Sequence, residues 1–172
     1  MNFPNLGRFD LLYQQKAPLL VEGLSFDGSI LNKIANKDYL ISAPYQSFSY
    51  LIKFLREAAL DPKVTSIKIT LYRLAKNSQI ISSLINAAKN GKKVTVQIEL
   101  QARFDEASNI SYSEQMQTEG IELIFGIKGL KVHSKICMID RIEEGKLKRY
   151  GFISTGNFNE STAKIYTDVT LF

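Results

Sequence analysis

Between Asp38 and Phe125 the apolar residues switch repeatedly between two periods, and this alternation restricts the fold more than any other feature of the chain. Asp38 to Ser42 is a short extended run halted before Pro44. Phe48, Leu51, Ile52, Leu55 and Ala59 then recur on one helical face, with Ser47 as N-cap and Asp61-Pro62 as the stop, which predicts a helix over about 47–60. Val64 to Leu71 is rich in β-branched residues and reads as a buried strand. Ser78 opens a second stripe of Ile81, Leu84, Ile85 and Ala88, closed by Asn90-Gly91 in the manner of a left-handed C-cap. Lys93 to Leu100 follows as a strand, Ser111 to Glu119 as a helix stopped at Gly120, and Ile121 to Phe125 as a further strand. Strands and helices in strict alternation build an α/β fold, with the expected helices on both faces of the sheet.

After Gly129 the rhythm becomes strand, turn, strand. Leu130 to Ile139 and Arg149 to Ile153 flank the polar turn Glu143-Glu144-Gly145-Lys146, so a β-hairpin and a mixed sheet are expected. Phe158 to Ala163 has room for one or two helical turns, and Val169 to Phe172 for a last strand. Residues 1–37 carry two prolines and three glycines without a sustained period and read as a lead-in or interdomain segment, leaving 38–172 as the folded domain.

At 172 residues and 45% apolar composition, one core is the expectation, able to bury roughly two thirds of its unfolded surface. No apolar run is long enough for a membrane span and the N-terminus lacks a signal-peptide pattern, so the location expected is cytoplasmic, at most peripheral to a membrane. One cysteine, Cys137 within Ile136-Cys137-Met138-Ile139, excludes an internal disulfide and reads as a small buried hydrophobe. One cysteine and one histidine also rule out a protein-built zinc site. The net charge of +5 favours a polyanionic partner wherever the cations converge.

The single histidine carries the chemistry. In Val132-His133-Ser134-Lys135-Ile136, strand alternation places His133 and Lys135 on one face, with Val132, Ile136 and Met138 serving mainly the core. A neutral imidazole is a nucleophile toward phosphorus near neutral pH, and an adjacent ammonium offsets the charge on the phosphoryl oxygens. Asp140 completes the pattern HxKxxxxD. The hairpin brings Ser154-Thr155-Gly156-Asn157 beside the histidine, where hydroxyls, an amide and a glycine able to take positive φ can aim N–H groups at an anion.

HxKxxxxD with a later S/T-G-N resembles the phospholipase D superfamily, and the wider string is closer to polyphosphate kinases that use a histidine nucleophile. The matching segments are Ala43-Pro44-Tyr45-Gln46-Ser47-Phe48, Ile69-Thr70-Leu71-Tyr72-Arg73, Glu99-Leu100-Gln101-Ala102-Arg103-Phe104-Asp105-Glu106, Gly129-Leu130-Lys131-Val132-His133-Ser134-Lys135, Ser154-Thr155-Gly156-Asn157-Phe158-Asn159-Glu160 and Tyr166-Thr167-Asp168. They run in order over residues 38–172. The resemblance implies a phospholipase D-like fold and reversible transfer of the ATP terminal phosphate to inorganic polyphosphate through a phosphohistidine at His133. It implies Lys135 as its catalytic neighbour, Arg73 and Arg103 as phosphate clamps beside a Mg²⁺ rather than ligands of it, and Tyr166 against the nucleotide. Ser154, Gly156, Asn157 and Asp140 are given supporting roles.

Sites of this superfamily are built from two halves, and this chain holds one. The remaining domains of a longer parent chain, and a homo-oligomer of that parent, are the partners expected beside ATP, ADP and polyphosphate; alone, the domain should turn over little or nothing. Nucleic acid is not an expected partner on this reading. The alternative is a single-domain nuclease or phosphodiesterase of the phospholipase D type acting as a homodimer, its basic charge serving nucleic acid. A third reading is a polyanion-binding module with an incidental histidine.

Overall fold

The computed structural model describes residues 17–99, 106–127 and 129–172. Its elements are α1 (Ile30–Ile34), β1 (Leu40–Ala43), α2 (Ser49–Leu60), β2 (Val64–Leu71), α3 (Gln79–Lys89), β3 (Lys93–Ile98), α4 (Glu106–Thr118), β4 (Glu122–Phe125), β5 (Lys135–Glu143), β6 (Lys146–Ser154), a 3-10 turn (Thr162–Lys164) and β7 (Asp168–Leu171). The alternation and the hairpin are as the sequence predicts. Ser47 is not the N-cap of α2: Phe48 holds that position without a side-chain cap, and Ser47 Oγ accepts from Ser49 N at 3.2 Å. Helix α4 starts five residues before the expected Ser111, because its sequence has no apolar stripe to mark it. Leu100, the expected last residue of the third strand, lies outside the described residues.

The sheet is mixed and ordered β1-β7-β6-β5-β2-β3-β4. The pairings β1 to β7, β7 to β6, β6 to β5 and β5 to β2 are antiparallel, so β1 and β2 run the same way, and β3 and β4 join them in parallel. The chain thus steps from β1 to β2 to β3 to β4 always toward one edge. Right-handed crossovers taken in one direction put every connecting helix on the same face. The described helices do gather there, α1 against α2, α2 against α3 and α3 against α4. On the opposite face Leu40, Leu171, Ile153 and Ile136, neighbours in register, are exposed.

The core lies between that helical layer and the inward side of the strands. Ile67, Val96, Ile98 and Ile139 from the sheet meet Leu51, Phe54, Leu55, Ile80 and Leu84 from α2 and α3, all buried. Four rings pack together within it: Phe152 of β6 stands 5.2 Å from Phe54, 5.1 Å from Phe158 and 5.1 Å from Phe172. Val21, Leu24, Ile30 and Leu31, from the segment read as a lead-in, are buried in the same core. They enter from a loop and one short helix, so no period reveals them; Val21 N donates to Tyr50 Oη at 3.0 Å, and Glu57 accepts from Ile30 N at 2.7 Å. Cys137 is buried on the inward face, and burial pushes its thiol well above the usual range, which leaves it without thiolate chemistry.

Two local devices fix the loops at the ends of β5, β6 and α3. The β5–β6 loop is Glu144-Gly145, both at positive φ (49° and 74°), the two-residue hairpin that suits strand twist. At α3, Ser78 Oγ accepts from Ile81 N at 3.4 Å, while Glu160 Oε1 accepts from Gln79 N at 2.6 Å and Ile80 N at 3.2 Å. A carboxylate at a helix N-terminus meets both its free N–H groups and its dipole. Glu160, part of the string that begins at Ser154, therefore ties the loop after β6 to the helical layer.

Candidate active site

The carboxyl ends of β1, β2, β3, β4 and β6 and the amino ends of β5 and β7 share one edge of the domain, the edge where open α/β sheets collect ligands. Tyr72 and Arg73 follow β2 there, residues 129–134 lead into β5, Ser154 to Asn157 follow β6, and Tyr166 precedes β7. Lys135 and Ser154 are register partners, so the hairpin does set the Ser-Thr-Gly-Asn loop beside the histidine segment.

His133 is not in a strand. The irregular stretch before β5 carries it, and β5 opens only at Lys135. Thr70 secures that stretch: its Oγ1 donates to the Ser134 carbonyl at 2.6 Å and accepts from Ile136 N at 3.1 Å. The expected facing also changes. Lys135 shares the inward row with Cys137 and Ile139, whereas Ile136 is exposed on the open face and Met138 is half-buried there. An inward row ends where the core ends, and a lysine at the rim can bury its stem and turn its ammonium into the site. Lys135 is 6% exposed, and its Nζ donates to the His133 carbonyl at 2.7 Å. Histidine and lysine are thus brought together through the backbone of one and the side chain of the other, with the imidazole exposed to solvent.

Burial lowers the Lys135 pKa, and the charge of Asp168 acts the other way. Among the described residues Lys135 has no ion-pair partner, so a phosphate oxygen arriving beside it meets an unneutralised ammonium. Around Tyr72 stand further cations, Lys131 and Arg73. Interaction with Tyr72 is the main influence that raises the Lys131 pKa. Arg73 is half-buried at the end of β2. Arg103 lies outside the described residues, and so do its neighbours Phe104 and Asp105.

The loop after β6 is stitched to β7. Thr155 Oγ1 donates to Asp168 Oδ1 at 2.9 Å and accepts from Val169 N at 3.0 Å; Thr170 Oγ1 donates to Ser154 Oγ at 2.9 Å. Gly156 does not have positive φ, contrary to the reading of the loop as an anion nest. Its glycine is required by space: a Cβ there would lie within 3.0 Å of Asp168 Cγ and Oδ2, closer than real Cβ atoms approach. Asn157 Oδ1 is buried with no hydrogen-bond partner, and Tyr166 is exposed two residues before Asp168. Gly156→Ala should displace the Asp168 carboxylate and destabilise the fold by about 1–3 kcal/mol, the usual cost of overpacking; urea unfolding checks it, and an unchanged midpoint contradicts it.

Asp140 is not part of this edge. Five residues beyond Lys135 it lies about 16 Å along β5 and, by alternation, on the open face. Ser66 Oγ donates to its carboxylate at 2.7 Å, Arg149 Nε at 3.1 Å and Lys68 Nζ at 3.5 Å. The Ser66 bond is the largest influence that holds the carboxyl below its ordinary value, with Arg149 and Lys68 adding to it and burial opposing. A depressed carboxylate pKa stabilises the fold above the unfolded-state value and loses that effect as pH falls through the folded one. Asp140→Asn should therefore lower the melting temperature at pH 6, with the gap to wild type closing as pH falls below the ordinary carboxylate range. A gap independent of pH contradicts the assignment.

Magnesium needs oxygen ligands, and among the described residues no three of histidine, cysteine, aspartate and glutamate cluster. Beside the single carboxylate Asp168, the described charged site residues are the cations Lys131, Lys135 and Arg73, a set suited to gripping phosphate. Nor is any described helix long and apolar enough to cross a membrane. Tyr72 and Asp168 are the site residues that pattern reading left without a role, although the strings Leu71-Tyr72-Arg73 and Tyr166-Thr167-Asp168 mark both.

Comparison with known proteins gives the family. Residues 29–172 match the family model of polyphosphate kinase C-terminal domain 1. Polyphosphate kinase of Vibrio vulnificus strain YJ016 is 47% identical over 169 residues, 98% of this chain and 24% of that protein. The Escherichia coli K12 polyphosphate kinase is 46% identical over 175 residues, 99% of this chain and 25% of that protein. The crystal structure of polyphosphate kinase from Porphyromonas gingivalis superposes with a TM-score of 0.82 at 45% identity, covering 98% of this chain and 28% of that one. A phospholipase D family member, Nuc from Salmonella typhimurium, shares the fold alone, at a TM-score of 0.57 and 18% identity over 78% of this chain and 80% of that one. The chain spans about a quarter of the length of the curated relatives it matches. By the family model and by identity along almost its whole length, the chain belongs to the polyphosphate kinase family, as its C-terminal domain 1.

Proposed function

We propose that this domain supplies the nucleophilic half of a polyphosphate kinase, and that His133 accepts the terminal phosphoryl group of ATP and passes it to the end of a polyphosphate chain. The observation that carries the reading is the exposed imidazole of His133 held through its own carbonyl by the buried ammonium of Lys135. In the first step an imidazole lone pair attacks the γ-phosphorus, the bond to the bridging oxygen breaks, and ADP leaves with the electrons. In the second, a terminal phosphate oxygen of polyphosphate attacks the phosphohistidine and the nitrogen is released. Lys135, Lys131 and Arg73 offset charge on the transferring oxygens, and Arg103 joins them by its place in the matching string. Tyr166, exposed beside β7, offers a face to the adenine. Arg73 and Arg103 would stand beside a Mg²⁺ brought by the nucleotide without ligating it, and the ion would offset phosphate charge.

On this reading residues 38–172 act as one half of a catalytic pair in a longer, oligomeric chain of the cytoplasm, a reading supported by relatives about four times the length of this chain. The phosphodiesterase reading has only the likeness of fold to Nuc in its favour, and identity to polyphosphate kinases outweighs it. Isotope exchange tests the proposal. A parent enzyme that forms a phosphohistidine should exchange labelled ADP into ATP with no polyphosphate present, whereas direct transfer between bound substrates leaves the label in ADP.

A further inference from the structure

One aromatic ring sits among all the charges of this site. Tyr72 meets the His133 imidazole edge to face, with centroids 5.6 Å apart and planes at 75°. Lys131 Nζ is 5.4 Å from the Tyr72 centroid, Lys135 Nζ 5.6 Å and Arg73 Cζ 6.0 Å. Cations at this range are attracted to the electron-rich face of a ring. Three like charges gathered at one point repel one another, and a carboxylate placed among them would relieve that repulsion only by competing with phosphate. A neutral ring collects them, with Asp168 and Glu99 acting on Lys135 and Lys131 as lesser influences.

The ring also stands on firmer ground than the histidine. Asn109, fully buried on α4, donates through Nδ2 to the Tyr72 carbonyl at 3.0 Å and to the Glu99 carbonyl at 3.1 Å, tying the ends of β2 and β3 together. Residues 131–134 have no strand ladder, and their described anchors are the Thr70 bond to Ser134 and the Lys135 bond to His133. Both anchors grip the backbone and leave the imidazole torsions open, so the Tyr72 ring is the described contact that bears on the imidazole itself.

We propose that Tyr72 is a positioning residue for the phosphoryl-accepting imidazole: it sets the orientation of His133 and gathers Lys131, Lys135 and Arg73 about the point where a terminal phosphate must arrive. The proposal rests on the reading of His133 given above. It assigns the work to the ring and only the Lys131 contact to the hydroxyl, so phenylalanine should substitute and an aliphatic residue should not.

His133 is the only histidine, so the imidazole proton signals of the whole 172-residue chain assign themselves. The measurement is their chemical shift, free and during titration with inorganic tripolyphosphate, in wild type, Tyr72→Phe and Tyr72→Leu, with urea unfolding run on each. In Tyr72→Leu the ring-current displacement of the His133 signals should vanish and the tripolyphosphate Kd should rise about 5- to 10-fold; in Tyr72→Phe the signals should stay and the Kd should change by less than about 2-fold. Where leucine costs folding, Tyr72→Met takes its place as an unbranched filler. Unmoved histidine signals and an unchanged Kd in the aliphatic variant overturn the proposal while leaving the phosphoryl reading intact. Equal damage from phenylalanine and leucine overturns it too. If wild type ignores tripolyphosphate yet its histidine signals move in Tyr72→Leu, the positioning stands and the phosphoryl reading falls.

Discussion

Replacing His133 with alanine should lower kcat for polyphosphate synthesis by the full-length enzyme at least about 1000-fold, while the unfolding midpoint of this domain stays close to wild type. The first expectation follows from chemistry: the charged neighbours left when the imidazole is gone, Lys131, Lys135 and Arg73, are cations with no lone pair to offer phosphorus. The second follows from placement. His133 is exposed, lies outside the sheet ladder, and contributes to Lys135 only its carbonyl, which alanine retains. Large losses in catalysis with small losses in stability separate a nucleophile from a packing residue. Steady-state kinetics and urea unfolding check the pair, and a variant retaining a tenth of the wild-type rate contradicts the assignment.

The largest expected effect on the fold comes from Phe152→Ala, about 3–5 kcal/mol of destabilisation. Phe152 is 2% exposed and touches three other rings, each from a different part of the chain: Phe54 of α2, Phe158 beyond the Ser-Thr-Gly-Asn loop, and Phe172 after β7. None of these elements can close on the void without moving the strand or helix that carries it, so the cavity should persist. Two of the rings flank the loop that sets Ser154 against Lys135, and the variant should therefore also weaken tripolyphosphate binding in its folded fraction. Urea unfolding measures the first effect; a loss below about 1.5 kcal/mol would mean that the site relaxes, contrary to a rigid ring cluster.

How far the sequence reveals this molecule depends on which elements carry a period. Helices α2 and α3 and strand β2 are legible because their inward residues recur, as at Leu51, Leu55, Ile81, Leu84, Ile67 and Ile69. Helix α4 is legible only at its stop, Gly120, since Met116 is its lone fully buried apolar residue among the described side chains. Val21, Leu24, Ile30 and Leu31 reach the core from irregular backbone and one short helix, where no spacing rule applies. The single helical layer follows from strand order, which local pattern cannot supply. At the site, the nearness of His133, Lys135 and the Ser-Thr-Gly-Asn loop is readable from the hairpin, yet the geometry differs: the histidine precedes the strand, and Gly156 answers to Asp168 and not to a positive φ. Asp140 shares a motif with His133 and still lies on the face opposite to Lys135, because a separation of five residues reverses side-chain direction in a strand. Tyr72 escapes pattern reading because a tyrosine after a strand is ordinary until its neighbours are known.

Direct identification of the modified residue shows whether His133 carries the phosphoryl group. The full-length enzyme is mixed with ATP labelled on its terminal phosphate, quenched in base, digested and mapped, with a parallel sample held in acid. A phosphohistidine at His133 gives one label in the peptide containing residue 133, stable in base and lost in acid, discharged on adding polyphosphate or ADP and missing from His133→Ala. A label on any other residue, or turnover at the wild-type rate with no label at His133, contradicts it.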